Sequence, residues 1–157
     1  ISLENARVLI LGAGGATRGI IPILFGSSVR SVFLCNRTMA KAELLQEEFL
    51  PYGEIICQTS EQLSGKFDLI INATSASLSG EIPDMPDTII PGSVCYDLAY
   101  SYGETPFQRW TRQNNSEKSL QGWGMLVEQA AESFYIWRGV RPKTEEIIQK
   151  LQAELEN

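Results

Sequence analysis

The sequence predicts an α/β protein, a doubly wound parallel sheet followed by C-terminal helices. Three observations predict it. Short, continuous apolar runs alternate with helix-patterned segments, as strands buried on both faces of a parallel sheet do. A glycine-rich turn joins the first apolar run to the first helical pattern. With 157 residues, 43% hydrophobic and 20% charged, the chain suits one domain, or one plus a small appendage. It is long enough to bury a core without metal or disulfide staples.

Arg7 to Leu11 (RVLIL) is the first strand. GAGGATRG, Gly12 to Gly19, opens a helical pattern that runs to about Phe25, in which Pro22 should kink or shorten the helix. Ser31 to Cys35 is the second strand. Met39 to Leu50 is a helix of strong formers with an apolar stripe at Leu44, Leu45 and Phe49. Glu54 to Cys57, Phe67 to Asn72 and Ser93 to Asp97 complete five strands, and the Ser/Pro/Gly-rich stretch from Thr74 to Gly92 reads as loop. Thr105 to Asn114 is a further helix, ended by the polar Asn114, Asn115 and Ser116. Met125 to Arg138 is a strongly apolar helix, stopped by Gly139 and Pro142. Thr144 is placed to N-cap a last helix with Ile148, Leu151 and Leu155 on one side. No internal repeat or low-complexity tract is evident.

Charge and composition exclude several classes. A net charge of −6 argues against a nucleic-acid partner, which needs a basic face. It leaves a phosphate ligand open, since that needs only local positive charge. Cys35, Cys57 and Cys95 match no zinc spacing, and there is no histidine to complete one, so no metal site is expected. An odd, scattered cysteine count with no secretory pattern fits reduced thiols in a cytoplasm. No stretch is long enough to span a bilayer, so no membrane partner is expected. Without histidine the commonest general acid/base is missing. The chain begins at Ile1, almost at its first strand, and reads as part of a longer protein or a processed product.

The order strand, glycines, helix around Gly12 is what a dinucleotide-binding turn of the Rossmann type requires. Gly12 permits the tight turn, and Gly14 lets backbone approach a pyrophosphate. The following helix offers free N–H groups and the positive end of its dipole. The third position, usually glycine, is Thr17, with Gly15 and Ala16 keeping the neighbourhood small. The plainer alternative is a glycine turn in an α/β domain that binds no nucleotide.

The end of the second strand separates the cofactors. An acidic residue about 20 residues on would bind the ribose 2′-hydroxyl of NAD. Here the strand ends Asn36-Arg37-Thr38, with Lys41 close behind and no acid to repel a 2′-phosphate. Arg37 offers a planar fork of donors, Thr38 a hydroxyl and Lys41 a mobile cation. This favours NADP over NAD. The alternative is a solvated helix start with ordinary surface cations, though two cations at a helix N-terminus are unfavourable without an anion.

GAGGATRG, NRT, NATS, YDLAY and GMLVEQAAESFYIWRG, in this order, resemble the nucleotide-binding part of the shikimate dehydrogenase family. The resemblance covers nearly the whole chain from Arg7 onward. It implies an oxidoreductase that reduces 3-dehydroshikimate to shikimate with NADPH, in aromatic amino-acid biosynthesis. It implies a glycine loop at Gly12, Ala13, Gly14, Gly15 and Ala16, and a 2′-phosphate clamp at Asn36, Arg37, Thr38 and Lys41. Thr74 and Ser75 would run along the cofactor. Leu98 and Gly122, with Met125 nearby, would line the nicotinamide, and Tyr100 and Gln129 would contact the substrate. Residues 1–121 would then be the NADP-binding domain. Residues 122–157 would be a helical segment that packs on a catalytic domain absent from this sequence and that, without it, either drives self-association or collapses onto the sheet domain.

The resemblance also implies that the catalytic lysine and aspartate lie in that absent N-terminal domain. No residue here is therefore assigned a catalytic role, and this chain alone is expected to be inactive. None of the five tyrosines is followed by lysine four positions on, so the short-chain-dehydrogenase base is absent too. Two positions depart from the family pattern: Ser77, where glycine is usual and positive φ would strain a serine, and Gln121, where aspartate is usual. Quinate as substrate, an NAD-preferring paralogue and a non-catalytic dinucleotide-binding module stay open.

Overall fold

The computed structural model describes residues 1–155, the side chains of Gln152 and Leu155 excepted. Six parallel strands form one sheet in the order β3-β2-β1-β4-β5-β6. They are β1 (Arg7–Leu11), β2 (Ser31–Cys35), β3 (Ile55–Gln58), β4 (Leu69–Asn72), β5 (Val94–Asp97) and β6 (Lys118–Gln121). The helices are α1 (Gly15–Gly26), α2 (Met39–Phe49), α3 (Pro106–Gln113), α4 (Trp123–Arg138) and α5 (Glu145–Leu155).

Alternation along the strands builds two cores. On one face Val8, Ile10, Val32 and Leu34 pack with Ile21 and Leu24 of α1 and Ala42, Leu45 and Phe49 of α2. On the other, Leu9, Leu11, Phe33 and Ile70 pack with Ile89, Ile90 and Phe107 of α3. Burying each large apolar side chain contributes roughly 1.5–3 kcal/mol, so β1, shared by both cores, is the centre of the fold. The connection after β1 covers one face and the segment after β4 covers the other. Adjacent β1 and β4 therefore splay their loops apart at the carboxyl edge, which opens the crevice where such sheets bind ligands.

The doubly wound sheet is as the sequence predicts, with four revisions. First, β6 was not expected. It is a short edge strand of Lys, Ser, Leu and Gln, only partly buried, so no apolar run marks it. Second, α1 continues through Pro22 to Gly26 instead of shortening. Ile21 and Leu24, on either side of the proline, are buried against the sheet and hold the helix through it. Third, Leu44 is not part of the buried stripe of α2; it is 62% exposed, and Ala42 takes its place beside Leu45 and Phe49. Fourth, the loop from Thr74 to Gly92 carries two 3₁₀ turns, Ala76–Ser79 and Asp87–Ile89, and buries Met85, Ile89 and Ile90.

The C-terminal helices are tied mainly to each other. Arg141 pairs with Glu132 at 2.5 Å, and the Thr144 hydroxyl donates to Glu128 at 2.6 Å. That hydroxyl thus faces α4, while the Thr144 carbonyl accepts from Ile147 and Ile148 at the start of α5. Ile148 and Leu151 are half-buried; the Leu155 side chain lies outside the described residues. Gly139 closes α4 in the left-handed conformation at φ 68°.

Candidate functional site

In a parallel sheet every strand ends at the same edge. The turns after β1, β2, β4, β5 and β6 therefore gather there, and they and the first turns of the helices that follow carry all the residues singled out from the sequence except Gln129, which lies further along α4.

The turn after β1 is fixed by three contacts. Gly12 sits at φ 101°, and a Cβ there would come within 3.0 Å of the Ala73 carbonyl oxygen, so only glycine fits. Thr17 is fully buried and donates its hydroxyl to the Gly12 carbonyl at 2.7 Å. The threonine at the third fingerprint position is therefore a lock on the turn, an assignment that spacing alone did not suggest. Asn36 bridges to the next turn: its Oδ1 accepts from Ala13 N at 3.2 Å, and its Nδ2 donates to the Thr38 carbonyl at 2.8 Å. Above the turn, Gly14, Gly15 and Ala16 are exposed, and a Cβ on Gly14 or Gly15 would meet nothing within 4 Å. No side chain caps α1 and no acid stands in its first turn. Its first N–H groups lack intrahelical partners, so the helix start presents donors and positive potential to solvent.

The start of α2 repeats this arrangement with cations added. Thr38 makes no side-chain capping bond, and the first turn of α2 holds no acid. Arg37, Thr38 and Lys41 are exposed, and among the described residues neither Arg37 nor Lys41 enters a salt bridge. Two unpaired cations beside the positive end of a helix dipole repel it and each other until an anion arrives. Asn36 holds this cluster in register with the glycine turn.

Beyond the glycine turn a cavity of about 530 Å³ is lined by Ala16, Thr74, Ser75, Leu98, Tyr100 and Met125, all singled out from the sequence, together with Ala73, Leu78 and Ala99. Behind two of its lining residues, Thr74 and Ala99, is a polar network the sequence reading missed. Asp97 is fully buried yet accepts four hydrogen bonds. Asn72 Nδ2 and Ala99 N reach Oδ1 at 3.0 and 3.1 Å; the Ser77 and Thr105 hydroxyls reach Oδ2, each at 2.6 Å. Asn72 Oδ1 in turn accepts from the backbone N–H and the hydroxyl of Thr74. A buried carboxylate is tolerated only when so satisfied. Ser77 lies in a 3₁₀ turn and is not among the residues with positive φ, so the strain expected of a serine there does not arise.

The opposite wall is set by the approach to α4. A Cβ on Gly122 would lie 2.3 Å from the Leu98 carbonyl oxygen, so glycine is required for this contact. Gln121 Oε1 accepts from Ser101 N at 2.9 Å and its Nε2 donates to the Gly103 carbonyl at 2.9 Å. An aspartate here could accept but not donate, and the amide clamps both ends of this loop. Tyr100 packs against Trp123, the rings tilted at 46° with centroids 4.6 Å apart. Tyr96 is half-buried; burial raises its phenol pKa, and a hydrogen bond with the Met125 backbone opposes that. Gln129 is exposed and follows Met125 by one helical turn, on the same side of α4 but outside the cavity lining. Among the described residues no cluster could hold a metal ion, and no helix is long and apolar enough to cross a membrane.

Residues 1–79 match the family model described as shikimate / quinate 5-dehydrogenase. The chain belongs to this family. Residues 122–152 also match the model for the shikimate 5′-dehydrogenase C-terminal domain. Among curated relatives, the shikimate dehydrogenase (NADP(+)) of Methylococcus capsulatus is 50% identical over 156 residues, and that of Alkalilimnicola ehrlichii is 47% identical over 154. These alignments take in 98% of this chain but 56% and 57% of the relatives' lengths, so the chain spans little more than half of them. Among solved structures, the Ael1 enzyme from Pseudomonas putida superposes with a TM-score of 0.89 at 43% identity, covering 96% of this chain and 56% of that one. Shikimate dehydrogenase from Aquifex aeolicus superposes at 0.76 with 32% identity, covering 91% and 52%.

Proposed function

We propose that this chain binds NADP(H) and is the cofactor-binding part of a shikimate dehydrogenase that reduces 3-dehydroshikimate to shikimate. One observation carries the reading: two uncapped helix starts, one glycine-lined and one bearing unpaired Arg37 and Lys41, are held side by side by Asn36. The first suits a pyrophosphate, and the second suits the extra phosphate that separates NADP from NAD. No carboxylate ends β2 to accept from a ribose hydroxyl. Relatives named for NADP(+) support the same choice.

The residues present fit the cofactor. Gly12 to Ala16 would hold the pyrophosphate, and Asn36, Arg37, Thr38 and Lys41 the 2′-phosphate. Thr74, Ser75, Leu98, Gly122 and Met125 would border the nicotinamide end. When bound, NADPH supplies the reducing equivalent. This chain's part is to bind and orient it: the apolar Leu98 and Met125 limit water at that end of the cavity, and Tyr100 and Gln129 face the substrate. No side chain here is assigned to move the substrate proton. The division at Gly122 into a cofactor-binding unit and a C-terminal helical segment belongs to the same reading. So does a cytoplasmic location, supported by three free cysteines.

The test is calorimetric titration with both cofactors. Charge-assisted bonds from Arg37 and Lys41, at roughly 1.5 kcal/mol each, should favour NADP+ over NAD+ by about 3 kcal/mol. Equal affinities would overturn the reading. Positioned acid–base groups supply about 10²–10⁴-fold in rate, so the pure chain should not turn over shikimate with NADP+. Steady turnover would contradict the assignment of roles.

A further inference from the structure

We propose that Ser77 is a positioning residue for the nicotinamide end of the cofactor, acting through Asp97; this rests on reading the cavity as the nicotinamide site. The two walls of the cavity come from chain segments far apart in sequence. Ser75 and Leu78 stand on one wall; Leu98, Ala99 and Tyr100 stand on the other. A single buried carboxylate joins them. Oδ1 of Asp97 accepts from Ala99 N in the second wall, while Oδ2 accepts from the Ser77 hydroxyl in the first, at 2.6 Å.

The remaining acceptor capacity of Asp97 goes to Asn72 and to Thr105, the N-cap of α3, which anchor the carboxylate to the sheet and to a helix. The carboxylate is thus fixed from below, and Ser77 is the one hydroxyl by which the 3₁₀ turn Ala76–Ser79 is held to it. The neighbouring link, in which the Thr74 N–H and hydroxyl donate to Asn72 Oδ1, reaches the first residue of the turn, where Ala76 N donates to the Thr74 hydroxyl at 3.2 Å, while Ser77 Oγ also accepts a long bond from Asn72 Nδ2 at 3.4 Å. Beyond it, Leu78 is 76% exposed at the cavity rim, so the far part of the wall has no core packing to place it. A hydroxyl-to-carboxylate bond is among the stronger uncharged-donor bonds, and here it replaces packing as the restraint. The glycine turn and the Arg37 cluster lie outside this network and have their own ties through Thr17 and Asn36. Loss of the Ser77 hydroxyl should therefore loosen one end of the cofactor site and leave the other unchanged.

The experiment compares NADP+ with 2′-phospho-ADP-ribose, the same molecule without its nicotinamide, by calorimetric titration of the whole chain and its Ser77→Ala and Ser77→Thr variants. In Ser77→Ala, NADP+ should bind about fivefold more weakly, the scale of one hydrogen bond only partly passed on to the ligand. The affinity for 2′-phospho-ADP-ribose should not change, and Ser77→Thr should restore NADP+ binding. If Ser77→Ala leaves the ratio of the two affinities unaltered, whether both hold or both fall, Ser77 is not a positioning residue. If the wild-type chain binds neither ligand, the cofactor reading itself fails, and this inference fails with it.

Discussion

The sheet region and the C-terminal helices are both rich in apolar residues, yet they use them differently. In β1 every residue after Arg7 is buried, and both faces are covered. In α4, 16 residues long, Ala131 alone is buried, while Ile136 is 72% and Trp137 78% exposed. Hydrophobic sequence is therefore not the same as hydrophobic core. The sheet region completes its own packing, and its polar turns are free to form a site. The helices leave an apolar surface whose burial contributes little to the stability of this chain.

Truncation should show the difference most strongly. Ile10→Ala removes a side chain that is 0% exposed and should cost about 2–5 kcal/mol of unfolding free energy in denaturant melts. Trp137→Ala should shift the same melts by no more than about 0.5 kcal/mol, as exposed substitutions do. Similar costs at both positions would erase the distinction. Gly122→Ala tests the border between the regions. Its new methyl must displace the Leu98 carbonyl, and overpacking of this kind costs about 1–3 kcal/mol. A neutral substitution there would mean that the approach of α4 to β5 is not tight.

Much of this division is legible in the sequence, and the exceptions have physical causes. Strands β1 to β5 read clearly because strands buried on both faces are continuously apolar. The glycine turn reads clearly because its geometry restricts residue type. β6 is invisible because an edge strand half-open to water needs no apolar run. Leu44 misleads because helical spacing cannot say which edge of a stripe meets the sheet. The Asp97 network was missed because Asn72, Ser77, Asp97 and Thr105 meet only through folding, and each is an ordinary polar residue in its local sequence.

Alkaline titration probes the sheet region alone. Burial pushes the Cys95 thiol up to about 12; burial, with Asp84 and Glu61 adding to it, pushes Cys35 up to about 11. The folded chain thus keeps these protons when the unfolded chain releases them. Their contribution is fully present below the unfolded thiol pKa of about 8.5 and is lost as pH rises above it, by up to about 1.4 kcal/mol per pH unit for each thiol. Cys95→Ala should flatten that decline. A decline of unchanged slope would place its cause elsewhere.

The exposed face of α4 and α5 gives the smallest expected effect. We propose weak self-association through Phe134, Ile136 and Trp137, visible as a sedimentation coefficient that rises with concentration. Trp137→Glu should remove the rise without altering stability. A wild-type chain that stays monomeric across the same concentrations would contradict it.

The reading of the sheet region as an NADP(H) site is tested most directly at the start of α2. Arg37→Ala combined with Lys41→Ala leaves the glycine turn, the cavity and both cores untouched. Titrated with both cofactors, the double variant should bind NADP+ about a hundredfold more weakly, the loss of two charge-assisted bonds, while its affinity for NAD+ stays as it was. An equal change for both cofactors, or none for either, would contradict the account.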